Sequence, residues 1–148
     1  MLKHAALAIL FALAACSAPA GPKISARDGW ARETGQSGIA AAYLTIQNNG
    51  GADELTGVRA KIGNAMLHES SMDSGIMRMR PIAPGEGLVV PSNGKLILAP
   101  GGAHVMVTGL KRPLKPGDQF ELTLLFDKAR AKKVKIAVKP AVEEAPAP

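Results

Sequence analysis

The side chains best suited to chemistry in this 148-residue chain are methionines and histidines, gathered into one stretch. All five methionines beyond Met1 fall between positions 66 and 106, and so do both histidines beyond His4. The group is Met66, His68, Met72, Met77, Met79, His104 and Met106. Three of its spacings are alike: Met66-x-His68, Met77-x-Met79 and His104-x-Met106. In an extended segment, residues two apart project to the same face. Met77 and Met79 then point together, with Arg78 and Arg80 opposite, and His104 and Met106 point together, with Val105 and Val107 opposite. If the strands bearing these pairs are neighbours, imidazoles and thioethers converge at one end of a sandwich. Thioethers are soft, neutral ligands that select copper(I), and imidazole suits copper in either redox state. Zinc would normally bring more histidine, thiolate or carboxylate, and magnesium or calcium would need oxygen ligands. The competing reading is structural, since methionine fills cores and histidine often serves only as a hydrogen-bonded packing residue.

Other chemistries find little support. The chain has no nucleophile elbow, no paired carboxylates around a turn and no glycine-rich phosphate loop, so no enzymatic activity is expected. Cys16 is the only cysteine, which excludes a thiolate site, a blue-copper centre or a disulfide within the downstream domain. The formal net charge of +6 is spread along the chain, with Lys111-Arg112 and Lys132-Lys133 as its adjacent basic pairs. Nucleic-acid binding calls for clustered basic residues and stacking aromatics, whereas this chain has one Trp, one Tyr and three Phe.

The elements that must position the group can be read from turns and alternation. Lys3 and His4 precede an apolar run over 5–15, which is shorter than the roughly 20 residues a spanning helix needs and reads as an export signal. It ends in Leu13-Ala14-Ala15-Cys16, similar to a bacterial lipobox, so Cys16 is expected to be lipidated; cleavage near Ala18-Pro19-Ala20 is the alternative. The expected organisation is a signal peptide over 1–15, a tether over 16–23, one domain over 24–138 and a disordered proline-rich tail over 139–148. Within the domain, Asn49-Gly50-Gly51, Gly63-Asn64, Pro84-Gly85, Ser92-Asn93-Gly94, Pro100-Gly101-Gly102 and Pro116-Gly117-Asp118 mark turns. Strands are expected over 42–47, 87–90, 95–98, 104–108, 120–126 and 133–138, with Phe120, Leu122, Leu124 and Phe126 on one face. Short strands with glycine and proline turns, and no sustained helical period, predict an all-β antiparallel sandwich or barrel.

The stretch 66–114, together with 28–32 (DGWAR) and 42–50 (AYLTIQNNG), resembles the PCuAC family of periplasmic copper chaperones. The resemblance runs from about residue 24 to 138. The family's metal motif is a histidine, ten residues, a methionine, a longer interval, then His-x-Met. Here His68 is followed by ten residues and Met79, and His104-Val105-Met106 closes the motif. The 24 residues between Met79 and His104 are a few more than the family pattern, and the excess is expected in 82–92. The resemblance implies a cupredoxin-like Greek-key β-sandwich that binds one Cu(I) through His68, Met79, His104 and Met106. Glu69 stands where some members carry an extra methionine, and Met72 and Met77 match methionines often found near the family's site, where they are expected to support the ligands or line the entry path. It further implies a periplasmic carrier that passes copper to cytochrome c oxidase subunit II or an assembly factor; the chain is expected to be a monomer, anchored through the lipobox Cys16. A copper-sequestering tolerance protein and a non-metal structural sandwich are the alternatives.

Overall fold

Apolar side chains that alternate with polar ones between glycine and proline turns favour strands, and every regular element among the described residues is a strand. The computed structural model describes residues 20–141. The expected signal over 1–15, Cys16 and residues 142–148 of the expected tail lie outside the described residues. In chain order the strands are β1 (Ile24–Arg32), β2 (Ile39–Asn48), β3 (Asp53–Ala60), β4 (Asn64–Asp73) and β5 (Ile76–Pro81), followed by β6 (Leu88–Val90), β7 (Lys95–Leu98), β8 (Ala103–Thr108), β9 (Gln119–Phe126) and β10 (Lys132–Lys139).

Hydrogen bonding links them in the order β5-β4-β8-β2-β1-β10-β9-β3-β6. Strand β2 pairs with β1 along one edge and divides the other between β7 and β8. The sheet folds over on itself, and its inner faces share one apolar cluster that includes Leu44 and Ile46 of β2, Leu55 of β3, Leu122 and Leu124 of β9 and Ile136 of β10. The period-two patterns of β9 and β10 follow the expectation, with Phe120, Leu122, Leu124, Val134, Ile136 and Val138 all buried.

The sandwich is antiparallel except at one seam, where Trp30–Arg32 of β1 run parallel to residues 137–139 of β10. The seam forms because β1 shifts register between Arg27 and Trp30. Asp28 there has φ 57°, and any Cβ on Gly29 would overlap the Lys135 carbonyl, so only glycine fits. Residues of the expected tether are fastened at the opposite end of β1, where Ile24 pairs with Asn48: Lys23 N donates to Asn48 Oδ1 at 3.0 Å, and Gly51 N donates to Ala20 O at 3.0 Å.

Four strands, β1, β3, β4 and β5, went unmarked by the alternation rule. β1 and β3 are broken by register shifts, the second between Leu55 and Gly57. β5 buries no residue, so it has no apolar face to announce it.

The β3 start is locked by Asp53, whose side chain is buried. Its Oδ1 accepts from Glu54 N (2.8 Å) and Lys128 N (2.9 Å), and its Oδ2 from Ala129 N (2.8 Å). Burial alone would raise this carboxyl, but the backbone donors of Ala129, Lys128 and Glu54, with the Lys128 charge, hold it below its usual value. A lowered folded-state pKa means the stabilisation is complete above the ordinary aspartate value of about 3.9 and is lost as pH falls through the folded value. Asp53→Ala is therefore expected to lower urea stability at neutral pH by about 2–3 kcal/mol, and Asp53→Asn to flatten the acid limb below about pH 4.

Candidate metal centre

Which face each candidate ligand takes is decided by its core-facing neighbours. Leu67 of β4 and Val105 and Val107 of β8 are buried in the apolar cluster. Alternation then turns Met66, His68, His104 and Met106 to the outer face. The β4–β8 register sets His68 directly opposite His104 and Met66 opposite Met106. The β4–β5 register sets Ser70 opposite Met79 and Met72 opposite Met77. All seven candidates therefore lie on one face of three adjacent strands, β5, β4 and β8. The group occupies a sheet face next to the end of the β4–β8 ladder, which stops at Glu69 and Ala103, and it continues onto the β4–β5 hairpin.

His68 on the middle strand is the hub. Its ring stacks on that of His104, with centroids 5.9 Å apart and an interplanar angle of 21°. Met79 of β5 and Met106 of β8 are its diagonal neighbours across the two ladders, a spacing of about 7–8 Å that long side chains can close. The imidazoles are deeply set, at 8% and 4% exposed for His68 and His104. By contrast Met72, Met77, Met79 and Met66 are 66, 56, 52 and 40% exposed, so core packing does not account for them.

Hydrogen bonding distinguishes the two candidate rings. His104 Nδ1 lies 3.0 Å from the Gly102 carbonyl and donates to it. That bond assigns the proton to Nδ1 and leaves the Nε2 lone pair free, the arrangement usual for metal-bound histidine. His68 Nδ1 is the one buried side-chain nitrogen or oxygen among the described residues with no hydrogen-bond partner. A buried, unsatisfied nitrogen is costly, and a metal ion would relieve that cost. No group of three or more His, Cys, Asp or Glu capable of holding a metal occurs among the described residues. The donors at hand are thus two imidazoles and thioethers, a neutral set suited to a soft monovalent cation.

Two elements of the site escaped sequence reasoning. On the inner side, the outer-face row continues from His104 to Tyr43 (centroids 6.3 Å apart) and on to Trp30 (4.6 Å). Burial raises the Tyr43 hydroxyl pKa against the opposing pull of Arg32, keeping the phenol neutral beside the imidazole. The signal was present: Ala42, Leu44 and Ile46 face the core, so Tyr43 between them must face out. On the reverse face of the β4–β5 hairpin, Arg80 donates to Glu69 (2.9 Å) and with two nitrogens to Glu86 (2.9 and 3.0 Å). These bonds raise the Arg80 pKa and lower that of Glu86. Residues 82–92, where extra length was expected, supply Glu86 and the short strand β6.

The family model described as "Putative lipoprotein LpqE-like" matches residues 24–138. The chain is 33% identical over 112 residues to "Putative lipoprotein Lxx21020" of Leifsonia xyli subsp. xyli (strain CTCB07), covering 74% of this chain and 66% of that protein. It thus spans slightly less than two thirds of that relative's length. The structure is similar to the apo PCuAC domain from PmoF1, with TM-score 0.64 and 28% identity over 81% of this chain and 96% of that one. It is also similar to the solution structure of CuI-DR1885 from Deinococcus radiodurans, with TM-score 0.54 and 29% identity over 88% and 85% of the two chains. The sandwich is therefore the cupredoxin-like fold of PCuAC domains.

The two histidines are expected to differ in the metal-free protein. His68→Leu removes an unpartnered buried nitrogen and should raise urea stability by about 1 kcal/mol, whereas His104→Leu loses the bond to Gly102 and should lower it by about the same amount. Equal losses for both variants would mean that His68 is an ordinary packing residue.

Proposed function

The chain belongs to the LpqE-like family and is a PCuAC domain, and from that membership we propose that it carries one copper(I) ion held by His68, Met79, His104 and Met106. The observation that carries the proposal is the register: His68 faces His104 directly, with Met79 and Met106 on its two diagonals. The solved relative CuI-DR1885 is named as a copper(I) form, which supports the same cargo here.

The chemistry favours carriage over catalysis. With four neutral ligands the metal keeps its full positive charge, and no thiolate clamps it. Met79 lies on the exposed edge strand β5, so it can be withdrawn while the buried imidazoles still hold the ion. An acceptor's ligands can then replace these one at a time, with no change of oxidation state. The acceptor we favour is the binuclear copper centre of cytochrome c oxidase subunit II, reached directly or through an assembly factor. Family membership supports a lipid-anchored envelope protein; anchoring through Cys16 in the bacterial periplasm belongs to the proposal.

Anaerobic titration with copper(I) against a chromophoric chelator should give one tight equivalent. His104→Ala combined with Met106→Ala should weaken it by at least about tenfold, or about 1.4 kcal/mol; unchanged affinity would refute the ligand assignment. Mixed with the metal-free soluble domain of oxidase subunit II, the loaded protein should give up its copper. Copper that stays behind would point to sequestration instead.

A further inference from the structure

On a reading that rests on the copper site above, we propose that the outer half of the β4–β5 hairpin is a second copper(I) site made only of thioethers, from Met72, Met77 and Met79. Met72 and Met77 are directly opposed across the ladder, and Met79 lies two residues from Met77 on the same face, opposite Ser70. Directly opposed residues have Cβ atoms about 4.5–5.5 Å apart and diagonal ones somewhat more, and methionine's rotatable bonds let the three sulfurs meet.

Packing does not explain these residues. All three are more than half exposed, and β5 buries nothing. Solubility does not explain them either. Edge strands are normally protected by charge on the solvent side, and on this hairpin the charges lie on the reverse face. There Glu69 faces Arg80, Ser71 faces Arg78, and Asp73 faces Ile76. Arg78 Nε donates to Asp73 at 3.1 Å and Arg80 bridges Glu69 and Glu86, so that face ties the two strands together without a core. The turn is tight, with Ser74 and Gly75 both at positive φ (52° and 81°), and it keeps Met72 and Met77 in register.

Three neutral soft donors without imidazole or carboxylate suit copper(I) and reject zinc, magnesium and copper(II). Met79 belongs to both sites. Copper(I) bound at the tip can keep Met79 while exchanging Met72 and Met77 for His68, His104 and Met106. The oxidation state and the charge of the complex stay the same at every exchange. The hairpin is thus a transit site, through which the ion reaches or leaves the imidazoles.

The test uses the full chain and copper(I) with a chromophoric chelator under anaerobic conditions. In the intact background, Met72→Leu with Met77→Leu should leave affinity within about twofold but slow loading and release by about tenfold; unchanged rates would overturn the proposal. Leucine preserves the apolar surface, so a patch that serves only to dock a partner would tolerate the change, and that result also counts against transit. In the His104→Ala, Met106→Ala background, weak binding with sulfur-only coordination by X-ray absorption should remain. Adding Met72→Leu and Met77→Leu should abolish it, and persistence of that binding would overturn the tip site. Failure of the main reading looks different: the His104→Ala, Met106→Ala protein would bind as tightly as the parent.

Discussion

The candidate site depends on one constraint, the period of two that links each outer-face candidate ligand to a core residue beside it. Leu67, Val105 and Val107 are buried because the inner face of the sandwich is apolar and close-packed. Their burial fixes the parity of β4 and β8, and parity alone sends His68, His104, Met66 and Met106 outward. A one-residue slip would put imidazoles in the core and aliphatic groups on the surface. The hydrophobic effect therefore specifies the geometry of the candidate ligands without touching them. The same logic extends inward along the row, because Ala42 and Leu44 on the core side turn Tyr43 against His104.

From β8 to β5 the source of rigidity changes. His104 sits between Tyr43 and His68 with its Nδ1 bound to Gly102, on a strand whose alternate residues are fully buried. Met79 sits on a strand that buries nothing and is held by ladder hydrogen bonds and the Arg80 fork. Exposed ion pairs contribute little to stability individually, so the hairpin belongs to the least stable part of the fold, the part that opens most readily. The buried, unpaired His68 nitrogen between these regimes is a local cost in the metal-free chain. Costs of this kind persist where the surrounding structure enforces them and the function uses them.

What could be read from sequence follows the range of the interactions. The seven candidates were visible as a group because methionine and histidine are few and their x-spacings are local. Strands β2, β8, β9 and β10 were visible because burial on one face writes an alternating pattern. β1 and β3 were hidden by their register shifts, and β5 by its lack of any buried face. The opposition of His68 to His104, and the placement of the group on a sheet face, belong to the pairing of strands 36 positions apart in the numbering. No local pattern encodes that pairing. Trp30 was missed for a related reason: it reaches Tyr43 only because the break in β1 between Arg27 and Trp30 resets the pairing.

These constraints bear on why the proposed copper site uses thioethers at all. A site of two imidazoles closed by thiolate would bind copper(I) more tightly, since an anionic ligand neutralises the ion. It would also place a reactive sulfur on an exposed edge strand, open to oxidation and disulfide exchange. Methionine keeps the softness and gives up the charge. The lost affinity can be recovered by setting the two imidazoles in a buried, preorganised place, where little is left to order on binding. Placing one of the two sulfurs, that of Met79, on the strand with least support would then make exchange fast at one corner only. An ion held as proposed would be retained by the rigid half of the site and released from the soft half. The direction of the proposed release would then follow from the sheet topology, because β5 is the edge and β8 is enclosed between β4 and β2.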